Sequence, residues 1–429
     1  MSLFGVLRSS RSKDYQLIIN FVFAFVILVD QSLKMNLEKL RPIHPFAARM
    51  APEIAFEALK DLKKTAVILD PMVGSGTVLR TVSAYGFNGI GYDMDPLAVL
   101  MSRVWTATID PQKLTARSNI ILGEANALKL NSIRLPWIDD DKRTKEFVDF
   151  WFGKNQINSL RKLSYLLNNT TGRYNDALKI VFSRLIVTKT KGASLAADVS
   201  HGRPHRVRNE NDFDIMEQFQ KSAMALSKIF EKQQPMGKAV IKLGDARNLS
   251  QLADRSISAI ITSPPYLNAL DYMRGHKLSL VWLGYQIDEL TNIRGNTIGA
   301  EKAPNKSADL ELAKEITRGM NTLRGLPQRK LNLISRYALD MHSFILESTR
   351  VLKKGGKATL VVGNSCLNDI FVENDLIIRN SCKMAGLKLV SMKNRKIPQS
   401  KRYLPSPSYD NVASFGNRMK SESVMSFSK

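Results

Sequence analysis

Cysteine is nearly absent from this chain of 429 residues: there are two, Cys366 and Cys382. That excludes a disulfide-stapled scaffold and any zinc site built from several thiolates. Histidine is scarce as well, five residues with no HExxH or similar ligand spacing. The expectation is no metal, and a reducing, cytoplasmic compartment. Acidic residues are outnumbered: 39 Asp and Glu face 63 Lys and Arg, a formal net charge of +24. Such an excess suits a polyanionic partner, nucleic acid before membrane. Long apolar runs are missing apart from one, LIINFVFAFVILV at 17–29, which follows Arg8, Arg11 and Lys13. It resembles the core of a signal peptide, but Asp30-Gln31 follows in place of a small-residue cleavage site. With Asn20 inside it, the run also falls short of the roughly 20 residues of a membrane-spanning helix. It reads as a helix or strand buried against the main domain, and membrane contact is not expected.

What is present is ordinary globular material, 44% hydrophobic and 24% charged. The length allows one large domain with insertions, or two or three domains. From 41 onward the pattern is α/β. HPFAARMAPEIAFEALKDL (44–62) has apolar residues at helical spacing, and AVILD (66–70) reads as a short buried strand. VLRTVSAYG (78–86) reads as a helix ended by glycine, NGIGYD (88–93) as a second strand, and Pro96 opens another helix. Alternating strands and helices predict a parallel sheet. From about 114 to 232 the rhythm turns helical, with few strand signals and a polar, basic loop at 188–211, before the strands KAVIKLGDA (238–246) and SISAIITS (256–263). A long helix over about 330–352 leads to a tight turn at Gly355-Gly356 and a buried strand over 357–363. The tail, rich in Ser, Pro and Lys, reads as loose.

Two stretches carry chemistry. DPMVGSGT places Asp70, Gly74, Ser75, Gly76 and Thr77 where a strand meets a helix. Glycines there let backbone approach a ligand, and the helix N-terminus favours negative charge. About twenty residues on, the next strand ends at Asp93, placed to accept from two ribose hydroxyls. That spacing alone does not choose between a dinucleotide and S-adenosylmethionine. The second stretch is Ser263-Pro264-Pro265-Tyr266, where an apolar strand runs into two prolines. Each proline lacks a donor and fixes its own φ, so the result is a stiff corner carrying a ring. A ring so held is a platform for something flat.

Together these stretches resemble the DNA amino-methyltransferases that act on cytosine N4 or adenine N6. The glycine motif of that family, Asp-Pro-Phe-x-Gly-x-Gly-Thr, is matched by DPMVGSGT with Met72 in place of Phe, and its Asp/Ser/Asn-Pro-Pro-Tyr/Phe motif by SPPY. GYDMDP matches the acidic ribose motif through Asp93, LGDAR the adenine contact through Asp245, and LKKGGKATLVVG a late strand. HPFAARMAPEIA matches the segment that closes over the methionine end of the cofactor. A second candidate for the adenine contact, GEANAL at 123–128, lies in a helical pattern, so Asp245 is preferred. The resemblance covers 41–103 and 238–404. It implies an α/β, doubly wound, Rossmann-like methyltransferase sheet with a helical insertion. It also implies S-adenosyl-L-methionine as cofactor, DNA as partner, and a cognate restriction endonuclease as a further partner.

The resulting division is an N-terminal apolar extension (1–40), a cofactor half (41–130) and a helical insertion for DNA recognition (131–235). A catalytic half (236–404) and a loose tail (405–429) complete it. The catalytic set is Ser263, Pro264, Pro265 and Tyr266, with Tyr266 stacking on a flipped base. The cofactor set is Asp70, Gly74, Ser75, Gly76, Thr77, Asp93 and Asp245. The DNA set is the basic patch Lys189, Lys191, Arg203, Arg206 and Arg208, with Lys393, Arg395, Lys396, Lys401 and Arg402 as a second basic group. Asp271, Arg274, His276 and Lys277 either line the base pocket, touch phosphate or begin a solvated helix. Ser at the head of SPPY favours cytosine N4 as target. Adenine N6, RNA bases and a non-catalytic nucleic-acid-binding subunit are the alternatives.

Overall fold

Seven strands form the sheet that positions everything else. In chain order the strands are β1 (Val67–Asp70), β2 (Asn88–Asp93), β3 (Ala196–Ala197), β4 (His205–Arg206), β5 (Ala239–Leu243) and β6 (Ile257–Thr262). They continue with β7 (Leu352–Val362), β8 (Ser365–Leu367), β9 (Ile370–Val372), β10 (Lys388–Lys396) and β11 (Ser421–Ser428). The computed structural model describes residues 40–198, 204–267, 271–299, 307–367, 370–398 and 420–429; the apolar run at 17–29, Arg203, Lys401 and Arg402 lie outside these. The large sheet has the order β10-β11-β7-β6-β1-β2-β5. β7, β6, β1, β2 and β5 are mutually parallel, and β11 runs antiparallel to both of its neighbours. β3–β4 and β8–β9 are separate two-stranded antiparallel pairs. This is the expected doubly wound sheet. The strand order reverses between β1 and β6, which puts the natural ligand crevice beyond the carboxyl ends of β6, β1 and β2.

β1 is a central strand covered on both faces, which is why its sequence is a continuous apolar run: Ile68 and Leu69 are fully buried. The helices between β2 and β5 start earlier than 131, with Pro96–Thr106 and Pro111–Ala127, and go on through Lys142–Trp151, Lys154–Asn168, Arg173–Ile186 and Ile215–Lys232. Several open on an aspartate whose carboxylate accepts from the first free N–H groups: Asp110 from Gln112 and Lys113, Asp141 from Thr144, Asp214 from Glu217. Leu160, Leu163 and Leu167 on one helix and Phe219, Ala223, Leu226 and Phe230 on another share a core with Trp105 and Trp282. The insertion is thus packed into the sheet domain, within one compact unit spanning Pro42–Lys429. On the other side, the helix Gln328–Val351 buries Tyr337, Met341 and Phe344 with Leu360, Met425 and Phe427 of the sheet.

Three expectations are corrected, and the second basic group is located. The helix read over 44–62 is confined to Pro52–Leu59, because Ala48 takes a left-handed φ of +48° and Pro52 can only open a helix. The tight turn at Gly355-Gly356 is a bulge inside one strand: Gly355 has φ +74°, and the register against β6 shifts between Ile257 and Ala259. Lys393, Arg395 and Lys396 lie on a strand, β10, and Arg395 pairs with Glu422 at 2.7 Å. The tail ends in order: β11 is inserted between β7 and β10, with Ser423, Met425 and Phe427 buried at every second position. Period-two burial is what a sheet demands, and here two apolar side chains and one serine suffice.

Candidate active site

Three adjacent strands end together. Asp70 closes β1, Asp93 closes β2, and Ser263 follows the last residue of β6. Between them opens a cleft of about 840 Å³, its mouth included. Its lining includes the glycine loop (Val73, Gly74, Ser75, Thr77), the carboxylates of Asp70, Asp93 and Asp95, and the whole Ser263–Tyr266 corner. Phe46, Arg49 and Tyr272 complete a wall.

The glycine loop owes its shape to backbone angles that other residues resist. Gly74 has φ +49° and Gly76 +86°, and a Cβ on Gly76 would lie 2.8 Å from the Ser102 Cα. Asp93 organises the loop. Its Oδ2 accepts from the Gly74 N–H at 2.8 Å and its Oδ1 from the Asp95 N–H at 2.9 Å. Burial, with Asp95 close by, pushes the Asp93 carboxyl up to about 6. Asp70 is more deeply buried, and its carboxyl rises to about 7 despite hydrogen bonds from Thr262 Oγ1 and the Met72 N–H, both to Oδ1. Asp95 caps the helix Pro96–Thr106 through the Leu97 N–H, and His276 Nδ1 lies 2.5 Å from its Oδ2. Burial alone would raise Asp95, but His276 holds it below the usual carboxylate range.

At the corner, the Ser263 hydroxyl donates to the Val361 carbonyl of β7 at 3.0 Å, and its side chain also lies within hydrogen-bonding reach of the Tyr266 phenol. The Tyr337 hydroxyl donates to the Pro265 carbonyl at 3.0 Å. Among the described residues nothing donates to the Pro264 carbonyl. Burial raises the Tyr266 phenol, and the Glu422 carboxylate on β11 raises it further. Tyr272 stacks on Phe46, with centroids 4.5 Å apart and planes 14° from parallel, and its hydroxyl donates to the Ala47 carbonyl at 3.1 Å.

The cleft brings together Asp70, Gly74, Ser75, Thr77, Asp93 and Ser263 to Tyr266, with Gly76 in the loop behind. It does not include Asp245, the residue expected to meet adenine. That side chain lies past the end of β5, where Arg247 Nη2 and Nε hold its carboxylate at 2.6–3.1 Å and Arg247 Nη1 reaches Asp340 at 2.7 Å. In the basic patch, Lys189 and Arg206 are exposed. The Arg206 guanidinium lies 4.9 Å from the Phe150 ring centroid. Lys191 pairs with Asp212 and Arg208 donates to the Thr190 carbonyl, so both are engaged within their own loop. Of the undecided group, His276 is buried against Asp95, Lys277 lies over the Phe147 ring, and Asp271 pairs with Arg294.

Phe46 lies in the segment expected to close over the cofactor, but four residues of this constellation were not singled out from sequence: Asp95, Tyr272, Tyr337 and Glu422. Only Asp95 carried a local signal, an aspartate directly before a helix-opening proline.

No family model matches the chain. Its similarity to known proteins is instead to individual enzymes. It is 24% identical over 427 residues to the type II methyltransferase M.MvaI of Kocuria varians, covering 89% of each chain. It is 23% identical to the type II methyltransferase M.BsoBI of Geobacillus stearothermophilus, over 72% of this chain and 59% of that one. A shorter match, 31% identical over 150 residues and 30% of each chain, is to the type II methyltransferase M.AvaI of Anabaena variabilis. Among solved structures, the rRNA methyltransferase aviRa from Streptomyces viridochromogenes overlaps with a TM-score of 0.33 at 12% identity, covering 91% of this chain and 92% of that one. At that score the overlap adds nothing to the strand order described above. Motifs and strand order point the same way as these relatives, and the chain is similar along most of its length to a type II methyltransferase.

Proposed function

We propose that this protein is a modification methyltransferase that methylates the exocyclic N4 amine of cytosine in DNA, within a restriction–modification system. The observation that carries the reading is the single cleft that joins the glycine loop and Asp93 to the Ser263–Tyr266 corner. Residues of the cleft suit the cofactor. Three carboxylates line it, complementary to a sulfonium and an ammonium group, and left-handed glycines leave the backbone open to close approach. Gly74, Ser75, Gly76, Thr77 and Asp93 would hold S-adenosylmethionine, with Asp70 beneath them. The cofactor supplies an electrophilic methyl group.

This chain's own part is alignment. The target base must leave the duplex to reach a cleft this deep, and Tyr266 offers it a ring worth about 1–3 kcal/mol of stacking. Ser263 has committed its proton to Val361, so its oxygen accepts from one amine N–H. The Pro264 carbonyl, its backbone fixed by the two prolines, accepts from the other. Both bonds draw the nitrogen lone pair out of conjugation with the ring and aim it. No covalent nucleophile is required. The choice of cytosine N4 over adenine N6 rests on resemblance: SPPY headed by Ser resembles the cytosine-N4 enzymes, whereas the adenine-N6 enzymes favour Asp or Asn there. The weaker polarisation by a hydroxyl is only a partial physical reason. Affinity for DNA comes from the basic surface, with Lys189 and Arg206 of the insertion reaching phosphates.

The test is chemical. The protein is incubated with S-adenosylmethionine and unmodified DNA, and the DNA is digested to nucleosides and weighed. N4-methylcytosine is expected. N6-methyladenine alone would overturn the base while leaving the alignment scheme; methyl transfer only to RNA, or to nothing, would overturn the function.

A further inference from the structure

A corner made of two prolines cannot anchor itself through its own N–H groups, because Pro264 and Pro265 have none. Its geometry must be set by what its carbonyls and flanking side chains meet. At its start, Ser263 donates to Val361. At its end, the Pro265 carbonyl accepts from Tyr337, which stands across the core on the helix Gln328–Val351. Tyr337 is fully buried, packed among Leu267, Ile334 and Met341. A phenylalanine would fill that volume equally well. The hydroxyl adds only the cost of burying a polar group, unless the bond it makes matters.

The helix is itself held in place at this point. Three residues on, Asp340 accepts from the Gly299 N–H at 3.0 Å, from Arg247 Nη1 at 2.7 Å and from Arg336 Nε at 3.2 Å. The Tyr337 ring lies against Gly299, where an added Cβ would stand 3.3 Å from its Cδ2. The phenol therefore presents its proton from a fixed position.

We infer that Tyr337 is a positioning residue for the reaction: its hydroxyl fixes the rotation of the Pro265–Tyr266 peptide, and through it the pitch of the Tyr266 ring and the choice of Pro264 as the carbonyl left free for the amine. The inference rests on the amine-methylating reading above. It goes beyond that reading in assigning a buried core tyrosine, remote in sequence from both motifs, to the alignment step.

The experiment uses the full chain and the Tyr337→Phe variant. Hydrogen exchange of the segment 261–267 reads the anchor directly, without reference to activity. Exchange at Tyr266 and Leu267 is expected to quicken about tenfold, the scale of one net hydrogen bond, with exchange of β1 and β2 unchanged. The single-turnover rate of methyl transfer to DNA is expected to fall about tenfold while S-adenosylmethionine affinity stays within about twofold. Unchanged exchange at the corner overturns the inference. So does faster exchange with an unchanged transfer rate, and so does an equal loss of cofactor affinity and rate, which marks a merely structural tyrosine. A wild-type protein that transfers no methyl to DNA sinks the function instead, and the exchange result still decides whether Tyr337 anchors the corner.

Discussion

Asp93 and Asp70 look alike in sequence, each a carboxylate ending a strand, but their hydrogen bonds make opposite predictions for the same substitution. At Asp93 both oxygens are in use, Oδ2 by the Gly74 N–H and Oδ1 by the Asp95 N–H. In Asp93→Asn, whichever way the amide turns, its NH2 must face one of these donors. One charge-assisted bond is lost, worth about 1.5–3 kcal/mol, and the acceptor offered to a ribose hydroxyl loses its charge. The lost loop bond acts on free and bound protein alike, whereas the ribose bond is made only on binding, and weakening this charge-assisted bond costs roughly ten- to hundredfold in S-adenosylmethionine affinity. At Asp70 the donors, Thr262 Oγ1 and the Met72 N–H, both go to Oδ1, so Asp70→Asn can keep them. Isothermal titration of the cofactor into both variants is the assay, with the melting temperature of each apo form as the control for folding. An Asp93→Asn affinity within about twofold of wild type, on a folded protein, would refute the placement of the cofactor against β2.

Two other outcomes follow from the charges. Asp70 and Asp93 have folded-state values near 7 and 6, above the ordinary carboxylate value. Their neutral forms therefore favour the fold fully below about pH 4, and this contribution is lost as pH rises through 6 to 7. Asp70→Asn, neutral throughout, should gain stability relative to wild type between pH 4 and pH 8 in thermal melts; a difference that stays flat with pH would contradict the burial argument. At the insertion, Lys189 and Arg206 are exposed cations of the patch with no carboxylate paired to them among the described residues, Arg206 Nε meeting the Arg208 carbonyl at 3.4 Å. Replacing both with Gln should lower the slope of log affinity against log salt by about 2, roughly one per phosphate contact. An unchanged slope would take phosphate binding away from this hairpin.

How much of this was legible depends on how local the cause was. The bounds of β2, Asn88–Asp93, were readable because a turn precedes it, an aspartate ends it and Pro96 starts the next helix. The convergence of Asp70, Asp93 and Ser263 was readable too: in a parallel sheet, residues ending neighbouring strands must meet at one edge. β11 was not, because its alternation rests on Met425 and Phe427 alone, and serine is as common in a loose tail as on a solvated sheet face.

Asp245 shows the limit most clearly. Its motif placed it after a strand, as the resemblance requires, and adjacency to the SPPY strand argued for it over Gly123–Leu128, which indeed lies in the helix Pro111–Ala127. Sequence could not show that Arg247 would fold back onto it, since an arginine two residues away has many partners open to it. What decides is Asp340, on a distant helix, which fixes Arg247 Nη1 while Nε and Nη2 take Asp245. That helix also carries Tyr337, whose hydroxyl holds the Pro265 carbonyl. One turn of the helix thus holds both Arg247, which engages Asp245 outside the cleft, and the Pro265 carbonyl at the corner. Neither motif contains any trace of it, because the residues that orient a site belong to the core that packs behind it.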